Sequence, residues 1–175
     1  MSAEIWVHQL GALALITNFI AYRQLTVNRY RVVSALALAF LSVHFFLLGA
    51  MAAGIGLAIG SVRNIVALRY RQPSILMLFL VVNVAFLLWE WLILQNPPIL
   101  FIAYASSLIF TVGSIVLTSA VSIRRWFILA ESLGLVYAAL VMSPFGVLFN
   151  ISNLTSIFLQ LRKDKMMKKA HLQEK

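Results

Sequence analysis

The sequence predicts an all-α, polytopic membrane protein: seven transmembrane helices set as two parallel three-helix bundles joined by a linker helix. Three observations predict it. Of 175 residues, 62% are hydrophobic and 11% charged, with a mean hydropathy of +0.96, so too little polar side chain is present to cover a water-soluble core. Apolar stretches recur at lengths near the roughly 20 residues that cross a bilayer as a helix. Basic residues gather in alternate connections between those stretches, which is the pattern that the positive-inside rule leaves behind.

The expected spans fall at roughly 5–22, 32–48, 51–68, 74–94, 98–118, 126–142 and 145–161. Pro73, Pro97, Pro98 and Pro144 stand at or beside span starts, where a missing amide proton costs little. The first span is preceded by Glu4 and followed by Arg23. That charge order is the reverse of a signal peptide, so the segment is expected to be retained. Residues 1–72 then form a first bundle, 73–96 the linker helix, 97–162 a second bundle and 163–175 a basic tail.

Orientation follows from the connections. Arg23, Arg29 and Arg31 lie in the first, Arg69 and Arg71 in the third, Arg124 and Arg125 in the fifth. The tail holds Arg162, Lys163, Lys165, Lys168, Lys169 and Lys175. The connections "GAMAA", "LQNPP" and "MSPF" have none, so thirteen of the fourteen basic residues share one side, Arg63 being the exception. That side is expected to be cytoplasmic, with the N-terminus outside and the C-terminus inside. An odd span count with a lone fourth span gives both triplets the same direction, a parallel repeat. The segments "GIGLAIGSVRNIVALRYR" (54–71) and "GVLFNISNLTSIFLQLRK" (146–163) echo each other in length, which places Ser61 opposite Asn153.

The stretch "VHFFLLGAMAAGIGLAIGSVRNIVALRYR", with His44-Phe45-Phe46-Leu47-Leu48-Gly49, Ala53-Gly54, Arg63 and Leu68-Arg69, resembles the YgjV family of bacterial inner-membrane proteins. That resemblance implies a bacterial inner-membrane location. The 3+1+3 order also looks like the SWEET and PQ-loop superfamily of small-solute facilitators, although Gln24 here lacks the preceding proline of that superfamily's Pro-Gln pair. Its paired binding-site asparagines lie on the third and seventh helices. Asn153 matches the seventh-helix position, while Asn64 is displaced by about a turn on the third.

Polar residues inside the spans are the candidates for function. Asn150, Asn153 and Ser156 recur at i, i+3 and i+6, near one helix face, and Asn153 is roughly 13 Å from Arg162, close to mid-bilayer. They either bond neighbouring helices or line a wet cavity. Arg63 and Glu131 each lie six residues from a basic span end, so equal depth predicts an ion pair across the bundles, with snorkelling of Arg63 as the alternative. His44 either meets solute or donates to a carbonyl. Glu90, between Trp89 and Trp91, is expected in an interfacial belt. Asn83 is read as packing, and Gly56-x-x-x-Gly60 as a close helix contact.

The function classes narrow accordingly. There is no Cys, so disulfides, thiolate catalysis and Cys-bound metals are excluded. No enzyme signature, metal site or cofactor motif is present, and so short a basic tail argues for anionic lipid rather than nucleic acid as its partner. The expectation is a facilitator for a small neutral solute, bound by Asn150, Asn153, Ser156, Ser61, Asn64 and His44. A non-transporting membrane protein, either a small-ligand receptor or a lipid-associated scaffold, is the alternative, and self-association into a homo-oligomer stays open. An internal cavity reaching the amides favours the first reading and a dry interface the second.

Overall fold

The computed structural model describes residues 2–21, 24, 26–117 and 119–173. Arg23 and Lys175, used above for orientation, lie outside the described residues. Within them the chain folds into seven α-helices with no strand. These are α1 (Ser2–Ala21), α2 (Val27–Leu47), α3 (Met51–Val66), α4 (Pro73–Leu88), α5 (Leu100–Val116), α6 (Ala120–Leu140) and α7 (Pro144–Gln173). A single π-helical turn, Trp89–Ile93, continues α4.

Three stretches are long and apolar enough to cross a membrane: Asn28–Leu47, Pro73–Ile93 and Pro144–Met166. Shorter apolar helices cover Ile5–Ala21, Met51–Val66 and Leu100–Val116. Large apolar side chains such as Met77, Leu78, Val81, Leu92 and Ile93 are exposed. Helices suit such surroundings because they satisfy their own backbone hydrogen bonds where water is absent.

Local chemistry sets the helix ends. The Thr26 hydroxyl accepts from the Arg29 amide at 3.4 Å, an N-cap that starts α2 at Val27, five residues before the apolar run. Pro73 and Pro144 open α4 and α7, where proline's fixed φ is already helical. α6 likewise begins early, at Ala120, with Arg124 and Arg125 inside the helix. The tail is not a separate element: α7 continues through it to Gln173. Asp164 there pairs with Arg124.

Helices α1, α2 and α3 pack consecutively, as do α5, α6 and α7. Contacts of α3 with α5 and of α1 with α7 close these six into a ring, and α4 packs outside on α5 and α3. The two halves of the ring share one register. α2 runs 27–47 and α6 120–140, while α3 and α7 begin at 51 and 144, so every one of these limits is displaced by 93 residues. The turns agree: Gly49 and Ala50 donate to Phe46 and Phe45 carbonyls, as Met142 and Ser143 donate to those of Ala139 and Ala138. This register corrects the sequence alignment by one residue, placing Gly60 rather than Ser61 opposite Asn153. Pairing the two glycines, Gly54 with Gly146, introduces the slip.

Both turns need a left-handed residue, supplied by Gly49 at φ 74° and by Met142 at φ 54°. Only glycine adopts this without strain, and other residues pay roughly 1–2 kcal/mol. Nothing lies within 4 Å of a Cβ built on Gly49, so backbone strain alone decides there. Gly49→Ala is therefore expected to destabilise by about 1 kcal/mol and Met142→Gly to be neutral or stabilising by up to about 1 kcal/mol. Thermal unfolding of the two variants in detergent measures this, and a matching loss in both would refute the shared turn geometry.

Candidate functional site

The ring encloses a cavity of about 460 Å³, within the range of small-molecule sites and far above the ~15 Å³ that one water needs. Its lining runs from Gln24 and Thr26, at the arginine-rich end, to Phe45, Tyr137 and Phe149. The turns at 48–50 and 141–143 do not contribute to it.

The 93-residue register reappears in this lining. Tyr30 and Ile123, Arg31 and Arg124, Ser34 and Phe127, Leu38 and Glu131, Leu41 and Gly134 are equivalent positions on α2 and α6, and all ten line the cavity. On α3 and α7 the same holds for Gly56 and Phe149, Leu57 and Asn150, Gly60 and Asn153, Arg63 and Ser156, Asn64 and Ile157. The walls are thus built from equivalent positions carrying different chemistry.

The densest polar feature bridges three helices. Asn18 Nδ2 on α1 donates to Asn153 Oδ1 at 2.7 Å, and Asn153 Nδ2 on α7 donates to Glu131 Oε1 on α6 at 2.8 Å. All three side chains are at least nine-tenths buried. Their counterpart in the other half is apolar: Leu38 Cδ1 lies 3.5 Å from a Cβ placed on Gly60. Nearer the aromatic end, Asn150 donates to its own helix at the Gly146 carbonyl, 2.7 Å away. Its Oδ1 lies 2.6 Å from a Cβ placed on Gly134, so only glycine leaves room for the amide at that crossing.

The predicted pair of Arg63 and Glu131 is not formed. Arg63 Nη1 donates instead to Thr111 Oγ1 on α5 at 3.0 Å, and Glu131 accepts from Asn153. The two charges sit on facing halves of the ring with the cavity between them. Arg63 does not snorkel either, since it is 5% exposed, and its Nε is buried without a hydrogen-bond partner among the described residues. Arg31 and Arg124 also line the cavity, but both are engaged, with the Ala67 carbonyl at 2.8 Å and with Asp164.

Of the predicted contact residues, Asn150, Asn153, Ser156 and Asn64 line the cavity, Asn64 donating to Ser34 Oγ at 3.3 Å. Two do not. Ser61 donates to the Ala35 carbonyl at 2.7 Å, facing α2 because its register is one residue past the cavity wall. His44 stands beyond the aromatic end of the cavity. Its Nδ1 meets the Val7 carbonyl and its Nε2 meets Ser143 Oγ, both at 2.8 Å. A carbonyl can only accept, so Nδ1 carries the proton and Nε2 receives the Ser143 hydroxyl. Flanked by Phe45 and Phe145, His44 fastens α1, α2 and the α6–α7 turn together.

Glu90 is likewise corrected: it is 1% exposed and accepts from Tyr104 Oη at 2.6 Å and Asn96 Nδ2 at 2.8 Å. The π turn rotates it inward, against α5. Asn83 donates to Phe79 and accepts from Ser107 at 2.6 Å, joining α4 to α5. Gly56 brings α3 against α5, with Ser107 Cβ 3.3 Å from a Cβ built on it. Thr111 belongs to the polar set of the fifth span (Tyr104, Ser106, Ser107, Thr111 and Ser114), and its bond to Arg63 turns that span toward α3; Asn18 was missed by sequence reasoning. Asn18 stands beside Thr17 in an otherwise apolar run, and the one available signal was an amide in the first span, whose neighbour α7 only the ring closure identifies. Among the described residues no cluster of three or more His, Asp or Glu could hold a metal.

The Asn18–Asn153 bond closes the ring at its α1–α7 seam. A double-mutant cycle of Asn18→Ala and Asn153→Ala is expected to return a coupling near 0.6 kcal/mol, up to about 1.7 kcal/mol, as for interhelical bonds in other membrane proteins. Strict additivity of the unfolding energies would mean that the bond contributes nothing.

Compared with known sequences, the chain matches the model of the Imp-YgjV family, described as a bacterial inner membrane protein, over residues 5–168. No match was found among curated proteins or among solved structures.

Proposed function

The chain belongs to the YgjV family of bacterial inner membrane proteins, and on that premise we propose that it is a facilitator for a small solute, with its site in the central cavity. In this reading all seven helices span the inner membrane as two parallel three-helix bundles, and α4 is the linker between them. The protein is not an enzyme. The solute, not a cofactor, is what the cavity receives.

One observation carries the reading: a cavity of about 460 Å³ reaches Asn150 and Asn153 between the two halves of the ring. A scaffold gains nothing from holding such a space open, because unfilled volume forfeits packing contacts. The equivalent walls supply the moving parts, since two alike halves can rock about a fixed central site. The arginine-rich end lies in the cytoplasm by the positive-inside rule, so this conformation is open inward and shut outward by Phe45, Tyr137, Phe149 and the His44 fastening. The basic end of α7 rests on anionic lipid.

Two measurements test this. A thermal-shift screen against sugars, nucleosides, vitamins and amino acids is expected to give saturable hits that weaken on Asn153→Ala, followed by uptake of the same solute into proteoliposomes. Binding without uptake would identify a receptor instead. Because the chain has no Cys, single-cysteine variants report topology directly. Ser2→Cys is expected to react with an impermeant maleimide in intact cells, and Lys165→Cys only after permeabilisation. The reverse labelling pattern would invert the inward-open assignment.

A further inference from the structure

We infer that the solute is a small zwitterion of the amino-acid type, its carboxylate received by Arg63 and its ammonium by Glu131. The inference rests on the solute-site reading above and specifies what that site takes.

The argument starts from which charges in the cavity lack a counter-charge. Three arginines and one glutamate line it. Arg124 is paired with Asp164, and Arg31 is bound to the carbonyl that caps the end of α3. Arg63 has neither arrangement. A guanidinium offers five N–H donors, yet among the described residues Arg63 donates only to the neutral Thr111 hydroxyl, and its Nε–H is buried with no acceptor. Glu131 has one oxygen on Asn153. Among the described residues its second oxygen has no hydrogen-bond partner, and it is not sealed from the cavity. Among the described residues, one guanidinium and one carboxyl group are therefore left without a counter-charge in the same space, and buried ionisable groups are expensive to charge unless paired.

Their placement is as specific as their sign. Arg63 Nη2 lies 3.6 Å from a Cβ placed on Gly60, and Gly60 is the register equivalent of Asn153, which holds Glu131. The two charged heads thus sit at matching depth on opposite halves of the ring. They are separated because each is held on its own wall, by α5 in one case and by α7 in the other. The register makes this asymmetry specific: the position equivalent to Arg63 is Ser156, and that equivalent to Glu131 is Leu38. A neutral sugar would use the amides but leave both charges unmet. A simple anion or cation would meet one and leave the other. A zwitterion meets both and adds no net charge to the bilayer interior.

The test is a thermal-shift titration of the full-length protein with L-alanine and L-leucine beside their one-ended analogues, with glucose as the neutral control. Ethylamine and isoamylamine lack the carboxylate. Propionate and 4-methylpentanoate lack the ammonium. At least one of the two amino acids is expected to bind about ten-fold or more tightly than both of its analogues, the effect of leaving a charged hydrogen-bond partner unmet. Arg63→Gln is expected to erase the preference over the amine, and Glu131→Gln the preference over the acid. Arg63→Lys, which keeps the charge, is expected to retain part of the first preference, so a misfolded Arg63→Gln does not leave the carboxylate end untested. Amino-acid binding that both Gln variants leave unchanged overturns the inference. So does binding of glucose alone, lost on Asn153→Ala, which leaves the solute site standing. Flat responses to every probe overturn the inference too, while the solute-site reading falls only if the wider screen of nucleosides, vitamins and sugars is also flat.

Discussion

An amide or a charge placed inside a bilayer must find its hydrogen bonds within the protein, because the surrounding hydrocarbon offers none. The packing of this chain can be read as a series of answers to that demand. Asn83 and Ser107 answer it between α4 and α5, Glu90 with Tyr104 and Asn96 beside the π turn, and His44 with Val7 and Ser143 where three segments meet. Each of these groups is closed: its partners are protein atoms, and its position is outside the cavity or at its margin. They hold the helices in place and leave little for anything else to bind.

The central polar groups are answered only in part. Asn18, Asn153 and Glu131 form a chain across α1, α7 and α6, while Arg63 keeps a donor that has no acceptor among the described residues. Satisfied groups rigidify, and incompletely satisfied ones are where a structure has something left to exchange with a ligand. The contrast between the two sets separates helix adhesion from the site more sharply than depth in the membrane does. His44 and Glu131 are both buried polar residues within helices, yet only one of them faces open space.

Much of the helix layout was legible in the sequence because the length of an apolar run and the position of proline are each set by local physical chemistry. The helix limits fell close to expectation except where polar residues extend α2, α6 and α7 beyond their apolar runs, since hydropathy sees the hydrocarbon rather than the helix. The sequence echo between the two halves slipped by one residue, because the Gly54 and Gly146 match was chosen over the turn geometry in which Met142 stands in for Gly49. That single step separates Ser61 from Gly60 and accounts for the misplaced Ser61. The Arg63–Glu131 pairing failed for a different reason. Equal depth says nothing about lateral distance, and a ring with an open centre keeps its facing walls apart. The partners of Asn18 and Thr111 depend on which helices are neighbours, which no local pattern encodes.

The unbroken course of α7 gives it a mechanical property that a helix ending at the membrane surface would lack. Thirty residues of α-helix measure about 45 Å, against a hydrocarbon layer of about 30 Å. One continuous helix therefore carries Asn153 a third of the way along and the basic stretch of the sequence toward its far end. A small change of tilt around the amide is magnified at the far end of the helix, twenty residues and about 30 Å away.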